Sequence, residues 1–440
     1  MTSKGFRQNK DSFIFFTLSV NGPEQERVTE ISLVSIFGYE LTRAKSNSPD
    51  WFPRVLDKMT VCFDPKEKLD YDLCKSYSVK SQDFEIAKRQ KFDLKVVNLL
   101  NLFLSRQSGE LYLVGHGSYG FKVLQSELRR LGKSLDKVDE RQVHFVDSEE
   151  IFKKIQPGKD SSLSRICDES FSQGMPQCAT TEERNKFLIK VVLKNLDKFF
   201  DNFNPNFSTV PKQKSESAET TSELDQGISS GEFEPTQTHV YFDLETTRLR
   251  NSKITEICMV AVHIDSMKTP TPDSLPRIVD KMVLIVDPGE MIEQIASELT
   301  KLNNHIIRES YKPKFNAETT KIMAEFLRRQ ISPICLIAHN GMKFDFPLLK
   351  NHILASNSNE RVFSGIRYAD SVRGMRQLHS GPRQSFQLQK VYQRTFPQSI
   401  ATNQHQAEND VIKLLKIVCS DSKLCAWLNS NYVELTDILV

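Results

Sequence analysis

Residues 238–246 read THVYFDLET, and this run decides the fold of the chain around it. It is rich in residues that favour strands, and so are two runs after it, ITEICMVAVHI at 254–264 and RIVDKMVLIVDP at 277–288. Short connections join the three runs. We therefore expect three antiparallel neighbours in one sheet.

Helices and strands alternate after these three runs. Helical periodicity at 316–330 precedes a buried apolar run at 331–339, a helix at 344–356, a strand ending near 371 and a helix at 405–420. Three antiparallel strands followed by this alternation is the order of a ribonuclease-H-like α/β fold. We expect a mixed five-stranded sheet flanked by helices.

The same order repeats, with weaker signals, in the first part of the chain. PRVLDKM at 53–59 matches PRIVDKM at 276–282, an offset of 223 residues, and His116 matches His339 at the same offset. A repeat of this length indicates two whole domains and not a solenoid.

The predicted organisation is therefore a tandem. We expect one ribonuclease-H-like domain at 10–205 and a second at 239–440. Between them, residues 206–238 are rich in Ser, Thr, Glu, Gly and Pro without periodic apolar residues, and this composition predicts a flexible linker.

Composition sets few limits on function. The net charge of +3 at pH 7 indicates neither a nucleic-acid partner nor its absence. The eight cysteines include no C-x-x-C pair, so we expect free thiols in a reducing compartment. No apolar run approaches about 18 residues, and the first residues have no signal-peptide core. We therefore expect a soluble intracellular protein, nuclear or cytoplasmic, without a membrane partner.

Two acids lie close together in the run that opens the second domain. Asp243 and Glu245 are separated by one residue, and because strand side chains alternate between faces, both carboxylates share one face. Adjacent carboxylates repel each other unless a cation lies between them. The pair alone indicates either a divalent-metal site with oxygen ligands or a solvated strand face.

Three motifs include this pair. They are FDLETT at 242–247, AHNG at 338–341 followed by FDFPLL at 344–349, and HQAEND at 405–410. Together they resemble the motifs of the DEDDh exonuclease superfamily. Within it the sequence looks most like the three-prime repair exonuclease (TREX) family, which shares the segments PRIVDK, FLRRQ and GPR found at 276–281, 326–330 and 381–383. The resemblance covers residues 239–430.

The resemblance implies a metal-dependent active site. Two magnesium ions, with manganese able to substitute, would be held by Asp243, Glu245, Asp345 and Asp410, and His405 would be the general base. His405 and Asp410 are five residues apart, about 500° around a helix, and so cannot share a helical face. We expect Asp410 on the late helix and His405 in the flexible segment before it.

Substrate contacts are also implied by the resemblance. Leu249 and Leu299 would wedge at the terminal base, and Arg383 would approach a phosphate. The full predicted set is Leu244, Thr246, Leu249, Leu299, Phe344, Arg383 and Arg329. Between 371 and 407 the chain has basic and aromatic residues but no acid, which suits a single strand with stackable bases or an amphipathic helix.

Two positions depart from the family pattern. Relatives usually have glycine where this chain has Arg248 and Lys301, and both positions flank the 3′-terminal pocket. Each charge is expected either to add a phosphate contact or to restrict a loop that used positive φ.

The first domain has lost the acidic set. Matched by the repeat, its residues at the five positions are Thr17 for Asp243, Ser19 for Glu245, Lys122 for Asp345, Glu182 or Glu183 for His405, and Phe187 or residues 184–186 for Asp410. Hydroxyl and ammonium groups cannot form a carboxylate cage. We therefore predict that this domain is not catalytic.

The role of the first domain is then structural or recognitional. The resemblance to TREX-like enzymes implies a dimer that is joined through the PRIVDK strand. This segment is also the best-matched stretch between the two copies. We expect an intramolecular pseudo-dimer through residues 55–64 and 278–287. The alternatives are independent domains on a linker and a homodimer of whole chains.

The sequence as a whole predicts a metal-dependent 3′→5′ exonuclease that removes nucleotides from DNA 3′ ends, with single strands preferred. One alternative is an RNA 3′-end exonuclease, because the same cage serves both polymers. Another is a nucleic-acid-binding pseudoenzyme, although the five intact groups favour catalysis.

Overall fold

The computed structural model describes residues 10–22, 26–43, 51–54, 56–66, 69–70, 79, 81–135, 137–177, 179–203, 234–268, 275–356, 358, 363–379, 384–398 and 405–438. The chain forms two compact units. Unit 1 is Met1–Ser81, Gln90–Glu223 and Glu309–Lys312, and unit 2 is Gln82–Arg89, Leu224–Arg308 and Pro313–Val440. Residues 206–233 of the predicted linker lie outside the described residues, and the domain boundaries stay a prediction.

Unit 1 contains a mixed sheet. Its strands are β1 (Ser12–Val20), β2 (Val28–Phe37), β3 (Leu56–Cys62), β4 (Leu111–Gly115), β5 (Lys137–Val138) and β6 (Arg141–Asp147), in the order β3-β2-β1-β4-β6-β5. The first three strands are antiparallel neighbours, β4 runs parallel to β1, and β6 runs parallel to β4. This is the order expected for a ribonuclease-H-like fold.

The helices of unit 1 are α1 (Gly38–Arg43), α3 (Leu94–Ser105), α4 (Tyr119–Arg130), α5 (Ser148–Ile155), α6 (Leu163–Ser170), α7 (Thr181–Lys194) and α8 (Leu196–Asp201), and the intervening α2 (Ser81–Ile86) lies mostly in unit 2. The core that joins α7 and α8 to the sheet includes Phe13, Leu188 and Phe199.

Unit 2 repeats this sheet. Its strands are β7 (Thr238–Thr246), β8 (Ile254–His263), β9 (Asp280–Ile285), β10 (Ile334–Ala338), β11 (Arg367–Asp370) and β12 (Val433–Glu434), in the order β12-β11-β10-β7-β8-β9. Strands β7, β8 and β9 are antiparallel, and β10 and β11 continue parallel to β7. The predicted fold class is therefore confirmed.

The helices of unit 2 flank this sheet. After α2 they are α9 (Gln294–Thr300), α10 (Asn304–Glu309), α11 (Ala317–Arg328), α12 (Asp345–Ala355), α13 (Ser371–Leu378), α14 (Leu388–Thr395), α15 (Ala407–Ser420) and α16 (Ser422–Ser430). Every residue of β8 is buried, as expected for a strand covered on both faces. No helix among the described residues is long and apolar enough to cross a membrane.

Each sheet has one strand more than the five predicted. The extra strands, β5 and β12, have two residues each and pair antiparallel with the neighbouring strand. Two residues are too few to show a period of two in the sequence, so these strands could not be predicted from the pattern.

Each unit also buries one aspartate of the PRVLDKM or PRIVDKM segment. In unit 2, Asp280 accepts hydrogen bonds from Arg89 Nη1 at 3.2 Å, Arg329 Nε at 3.2 Å and Gln330 Nε2 at 3.1 Å. In unit 1, Asp57 accepts from Gln107 Nε2 at 3.1 Å and Lys312 Nζ at 3.0 Å. These buried carboxylates are matched by cations and amides, as burial of a charge requires.

Candidate active site

The end of β7 presents two acids on one face of the sheet. Asp243 pairs across the ladder with Cys258, and Glu245 pairs with Glu256. The register shifts between Glu245 and Thr246, which is a bulge at the point where the strand leaves the sheet.

The third acid comes from the start of α15. Asp410 lies in the first turn of this helix, and one carboxylate oxygen from each of Asp243, Glu245 and Asp410 lies within 4.8 Å of the others. Among the described residues, this is the one place where three or more metal-binding side chains meet in this way. We call these three residues the carboxylate cluster.

Asp345 lies beside the carboxylate cluster and is buried. It is the first residue of α12, and its Oδ1 accepts a hydrogen bond from the backbone N–H of Leu244 at 3.2 Å. Burial raises the pKa of Asp345 to about 7, against the hydrogen bond from Leu244. Burial also raises the pKa of Asp243 well above its ordinary value, and the charges of Asp345, Glu245 and Asp410 add to the rise.

These acids fit a divalent cation. Carboxylate oxygens are the hard ligands that magnesium and manganese bind, and acids this close share a site only when protons or cations offset their repulsion. Burial is the main cause of the raised pKa of Asp243, and repulsion from the neighbouring acids adds to it. The four acids that would hold the metal are Asp243, Glu245, Asp345 and Asp410.

His405 lies just before α15, and Asp410 lies on the helix, as their spacing predicts. The Nδ1 of His405 is 3.4 Å from Asp410 Oδ2, and Lys413 Nζ is 2.8 Å from Asp410 Oδ1. The hydrogen bond to Asp410 raises the pKa of His405. For Asp410, burial alone would raise the pKa, but the hydrogen bonds from His405 and Lys413 outweigh it and hold the pKa below its usual value.

Some residues next to the acids did not stand out in the sequence. Lys413 is three residues after Asp410, a helical spacing that the motif could have suggested. Glu256 is buried opposite Glu245, and its Oε2 accepts a hydrogen bond from the N–H of Ala407, the first residue of α15, at 3.4 Å. Lys281 binds Glu408 of the same helix at 2.5 Å. Glu256 and Lys281 are on other strands, so no local spacing indicates them.

The predicted substrate contacts are in different environments. The side chains of Leu249, Leu299 and Phe344 are exposed, as a contact with substrate requires. Leu244 is buried and contributes its N–H to Asp345, whereas the Thr246 hydroxyl donates to the Arg248 carbonyl oxygen at 2.9 Å. Arg383 lies outside the described residues. The roles of these residues stay predictions.

Arg329 is the exception, and its prediction as a substrate contact is wrong in this structure. Its side chain is buried at the end of α11, with Nε 3.2 Å from Asp280 Oδ2. The buried carboxylate of Asp280 requires this cation, so Arg329 stabilises the core of unit 2 and does not face a substrate.

Arg248 and Lys301, the two positions where relatives usually have glycine, differ in backbone conformation and in charge pairing. Lys301 ends α9 with φ of 61°, in the left-handed region that favours glycine. Arg248 does not have positive φ, and its Nη2 lies 2.7 Å from Glu290 Oε1. Lys301 therefore restricts a turn, whereas the charge of Arg248 is already paired with an acid.

The first copy has no equivalent cluster among its described residues. Helices α7 and α15 each have 14 residues and begin at Thr181 and Ala407, so Arg184 takes the position of Asp410. The Thr17 hydroxyl, in the position of Asp243, donates to the Thr181 carbonyl oxygen at 2.5 Å. Neither group can act as a carboxylate ligand.

The match of Lys122 to Asp345 is wrong. Phe16 stacks on Phe121 in unit 1 as Phe242 stacks on Phe346 in unit 2. This correspondence places Gly120, and not Lys122, at the position of Asp345. Lys122 is exposed on α4. A constant offset does not show this shift, because the turn before α4 is shorter than the turn before α12.

The fold and the four acids of unit 2 define the DEDDh class of exonuclease domains. No protein-family model matches the chain. Over 210 residues the chain is 36% identical to human "Three-prime repair exonuclease 1", a match that covers 44% of this chain and 64% of that protein. It is 34% identical to mouse "Three prime repair exonuclease 2" over 210 residues, covering 44% of this chain and 88% of that protein. The chain belongs to the three-prime repair exonuclease family.

Solved structures show weaker likenesses. The zinc-bound E. coli ExoI–ssDNA complex has a TM-score of 0.34 at 16% identity, covering 43% of this chain and 42% of that one. The nuclease domain of 3′hExo bound to rAMP has a TM-score of 0.36 at 12% identity, covering 45% of this chain and 97% of that one. TM-scores this low carry no functional conclusion.

Proposed function

We propose that the chain is a metal-dependent 3′→5′ exodeoxyribonuclease that releases nucleoside 5′-monophosphates from DNA 3′ ends, with single strands preferred. The observation that carries the proposal is the carboxylate cluster, three acids from two separate motifs with oxygens within 4.8 Å. Membership of the three-prime repair exonuclease family supports the same reaction.

The four acids would hold two magnesium ions, or manganese in their place. A bound pair of such cations lowers the pKa of water and stabilises the leaving 3′-oxygen of a phosphodiester. Asp243, Glu245 and Asp410 bring carboxylate oxygens within 4.8 Å of one another, and the position of Asp345 is fixed by the hydrogen bond from the Leu244 N–H. The acids thus fix where the scissile phosphate would bind.

His405 would accept the proton of the attacking water. Its side chain is about half exposed and lies outside the helix that carries Asp410, so the ring has room to turn toward a water beside the cluster. A histidine suits this role because its ordinary pKa is near neutrality.

The first copy would serve as an inactive partner. We propose that it takes the place of a second protomer, through the segments at 55–64 and 278–287 that match best between the copies. Light scattering after size-exclusion chromatography tests this. A monomer of full-length chains agrees with the proposal, and a stable dimer of full-length chains contradicts it.

The reaction is tested with a single-stranded oligonucleotide labelled at its 3′ end, in DNA and RNA versions run in parallel with and without Mg²⁺. We expect metal-dependent loss of label from DNA, a weaker reaction on RNA, and a far slower reaction on either with Asp410→Asn or His405→Ala. No metal-dependent loss of label by the wild type would overturn the proposal and favour a nucleic-acid-binding pseudoenzyme.

A further inference from the structure

Four large apolar side chains near the carboxylate cluster are exposed. Leu249 is 88% exposed, Ile295 69%, Met291 65% and Leu299 41%. Leu249 and Leu299 are already predicted to contact the terminal base, whereas nothing so far assigns a role to Met291 or Ile295. Exposed apolar side chains grouped in this way mark a binding surface.

Backbone and side-chain contacts bring these residues together. The N–H of Glu293 donates to the Thr247 carbonyl oxygen at 3.0 Å, and Arg248 Nη2 lies 2.7 Å from Glu290 Oε1. These contacts join the residues before Leu249 to those on both sides of Met291. We call Leu249, Met291, Ile295 and Leu299 the apolar surface.

The apolar surface borders the carboxylate cluster at both ends. At one end, Leu249 lies just after β7, the strand that carries Glu245. At the other end, the Leu299 carbonyl oxygen accepts a hydrogen bond from the N–H of His405 at 3.1 Å. Helix α9 therefore connects the end of β7 to the histidine before α15. A strand whose 3′ end lies at the acids would extend along or beside this helix.

The spacing of Ile295 and Leu299 on α9 allows them to contact two different nucleobases. Ile295 and Leu299 are four residues apart and so lie on the same face, about 6 Å apart along the helix axis. This rise is enough for the two side chains to meet successive bases and not the same one. The Arg248 charge next to this surface is paired with Glu290, so the surface itself is suited to bases and not to phosphates.

We propose that Met291 and Ile295 bind the bases of the one or two nucleotides before the 3′-terminal nucleotide, and so select unpaired strands. The inference rests on the proposed exonuclease function. A base within a duplex is stacked and paired, and exposing its face requires unstacking. An unpaired strand presents its bases without that requirement. The apolar surface should therefore give single-stranded DNA a lower KM than duplex DNA.

The test compares two 5′-labelled single-stranded oligonucleotides. One is ordinary DNA, and the other keeps the terminal base but has abasic sugars at the two positions before it. We expect Met291→Gln combined with Ile295→Gln to raise KM on ordinary DNA about tenfold, equivalent to about 1.4 kcal/mol, with kcat within about twofold. On the abasic strand the variant and the wild type should have the same KM.

Leu354→Gln is the matched control, since Leu354 is 48% exposed on α12, away from the apolar surface, and should leave both constants unchanged. Ile295→Leu with native Met291 should keep the wild-type KM. An unchanged KM in the double variant, an equal rise on the abasic strand, or a fall in kcat alone would each overturn the inference.

The inference and the proposed function fail separately. If the wild type does not cut DNA in the presence of Mg²⁺, the exonuclease proposal is wrong. Fluorescence anisotropy with the same two oligonucleotides then measures binding without turnover, in the Asp410→Asn background. Weaker binding of ordinary DNA by the double variant supports the apolar surface, and equal binding overturns it.

Discussion

The backbone N–H of His405 donates a hydrogen bond to the carbonyl oxygen of Leu299 at 3.1 Å. This bond connects the proposed general base, His405, to the end of α9, the helix proposed to contact the 3′-terminal nucleobase. It uses main-chain atoms alone, so a change of either side chain leaves it in place. The two side chains can therefore be tested one at a time.

We predict a split between kcat and KM for these two residues. His405→Ala should lower kcat by about 10²–10⁴-fold, the usual contribution of a general base, with little change in KM. Leu299→Ala should instead raise KM several-fold and leave kcat within about twofold. Steady-state kinetics on a single-stranded oligonucleotide measure both. A large fall in kcat for Leu299→Ala would show that the leucine acts through the general base His405 and not by binding the substrate.

Divalent cations should stabilise the folded chain through the acids. A ligand that binds only the native state at 100 times its Kd adds about 2.7 kcal/mol of stability, so Mg²⁺ or Mn²⁺ should raise Tm by several degrees. Asp410→Asn should lose most of this rise. Glu318→Gln is the control, because Glu318 is an exposed acid in the first turn of α11. Differential scanning fluorimetry measures the shift, and an equal rise in both variants would count against a metal site at the cluster.

Much of the fold could be predicted because its signals are local. The runs of β7, β8 and β10 are long and apolar, and Asn316 and Asp370 cap α11 and α13 with side-chain hydrogen bonds to the backbone, as helix-starting residues of this type do. The acids could be named because motif spacing fixes their place on strand and helix. These features need no knowledge of distant contacts.

The errors concern residues whose partners are far away in sequence. The sequence predicts that Arg329 contacts substrate, but the buried partner of Arg329 is Asp280, 49 residues earlier. The constant repeat offset matches Lys122 to Asp345, whereas the ring stacking within the two units matches Gly120 to Asp345. Charge and spacing in a sequence do not show whether a side chain points to solvent or to the core.

The corrected role of Arg329 predicts a loss of stability and not of substrate affinity. Arg329→Met should lower the free energy of unfolding by about 3 kcal/mol or more, because it removes one of the cations beside the buried carboxylate of Asp280. KM for DNA, measured well below the unfolding temperature, should stay at the wild-type value. Urea unfolding and steady-state kinetics decide between the two roles; wild-type stability with a raised KM would show that Arg329 contacts substrate.

His239 should contribute a loss of stability in mild acid. Burial lowers the pKa of this histidine to about 4, against a hydrogen bond to Asn429, so the folded state binds its proton less readily than the unfolded state. This contribution is therefore absent above about pH 6.5, grows as the pH falls toward about 4, and changes no further below. It amounts to about 3 kcal/mol in total, of which about 2 kcal/mol is lost by pH 5. Urea unfolding at pH 7.5 and pH 5 should show a smaller loss for His239→Gln, and an identical loss in both proteins would rule out this histidine as the cause.

Lys301 should cost stability through its backbone. It ends α9 with φ of 61°, where a side chain with a Cβ is disfavoured by about 1 kcal/mol relative to glycine. Lys301→Gly should therefore raise the free energy of unfolding by about 0.5–1 kcal/mol. Lys301→Ala keeps the Cβ and removes only the charge, so it should not stabilise. If both variants change KM for DNA alike, the lysine charge contacts substrate, and if only the glycine variant changes it, the conformation of the turn matters. Equal stabilities for glycine, alanine and lysine at this position, measured by urea unfolding, would contradict the backbone effect.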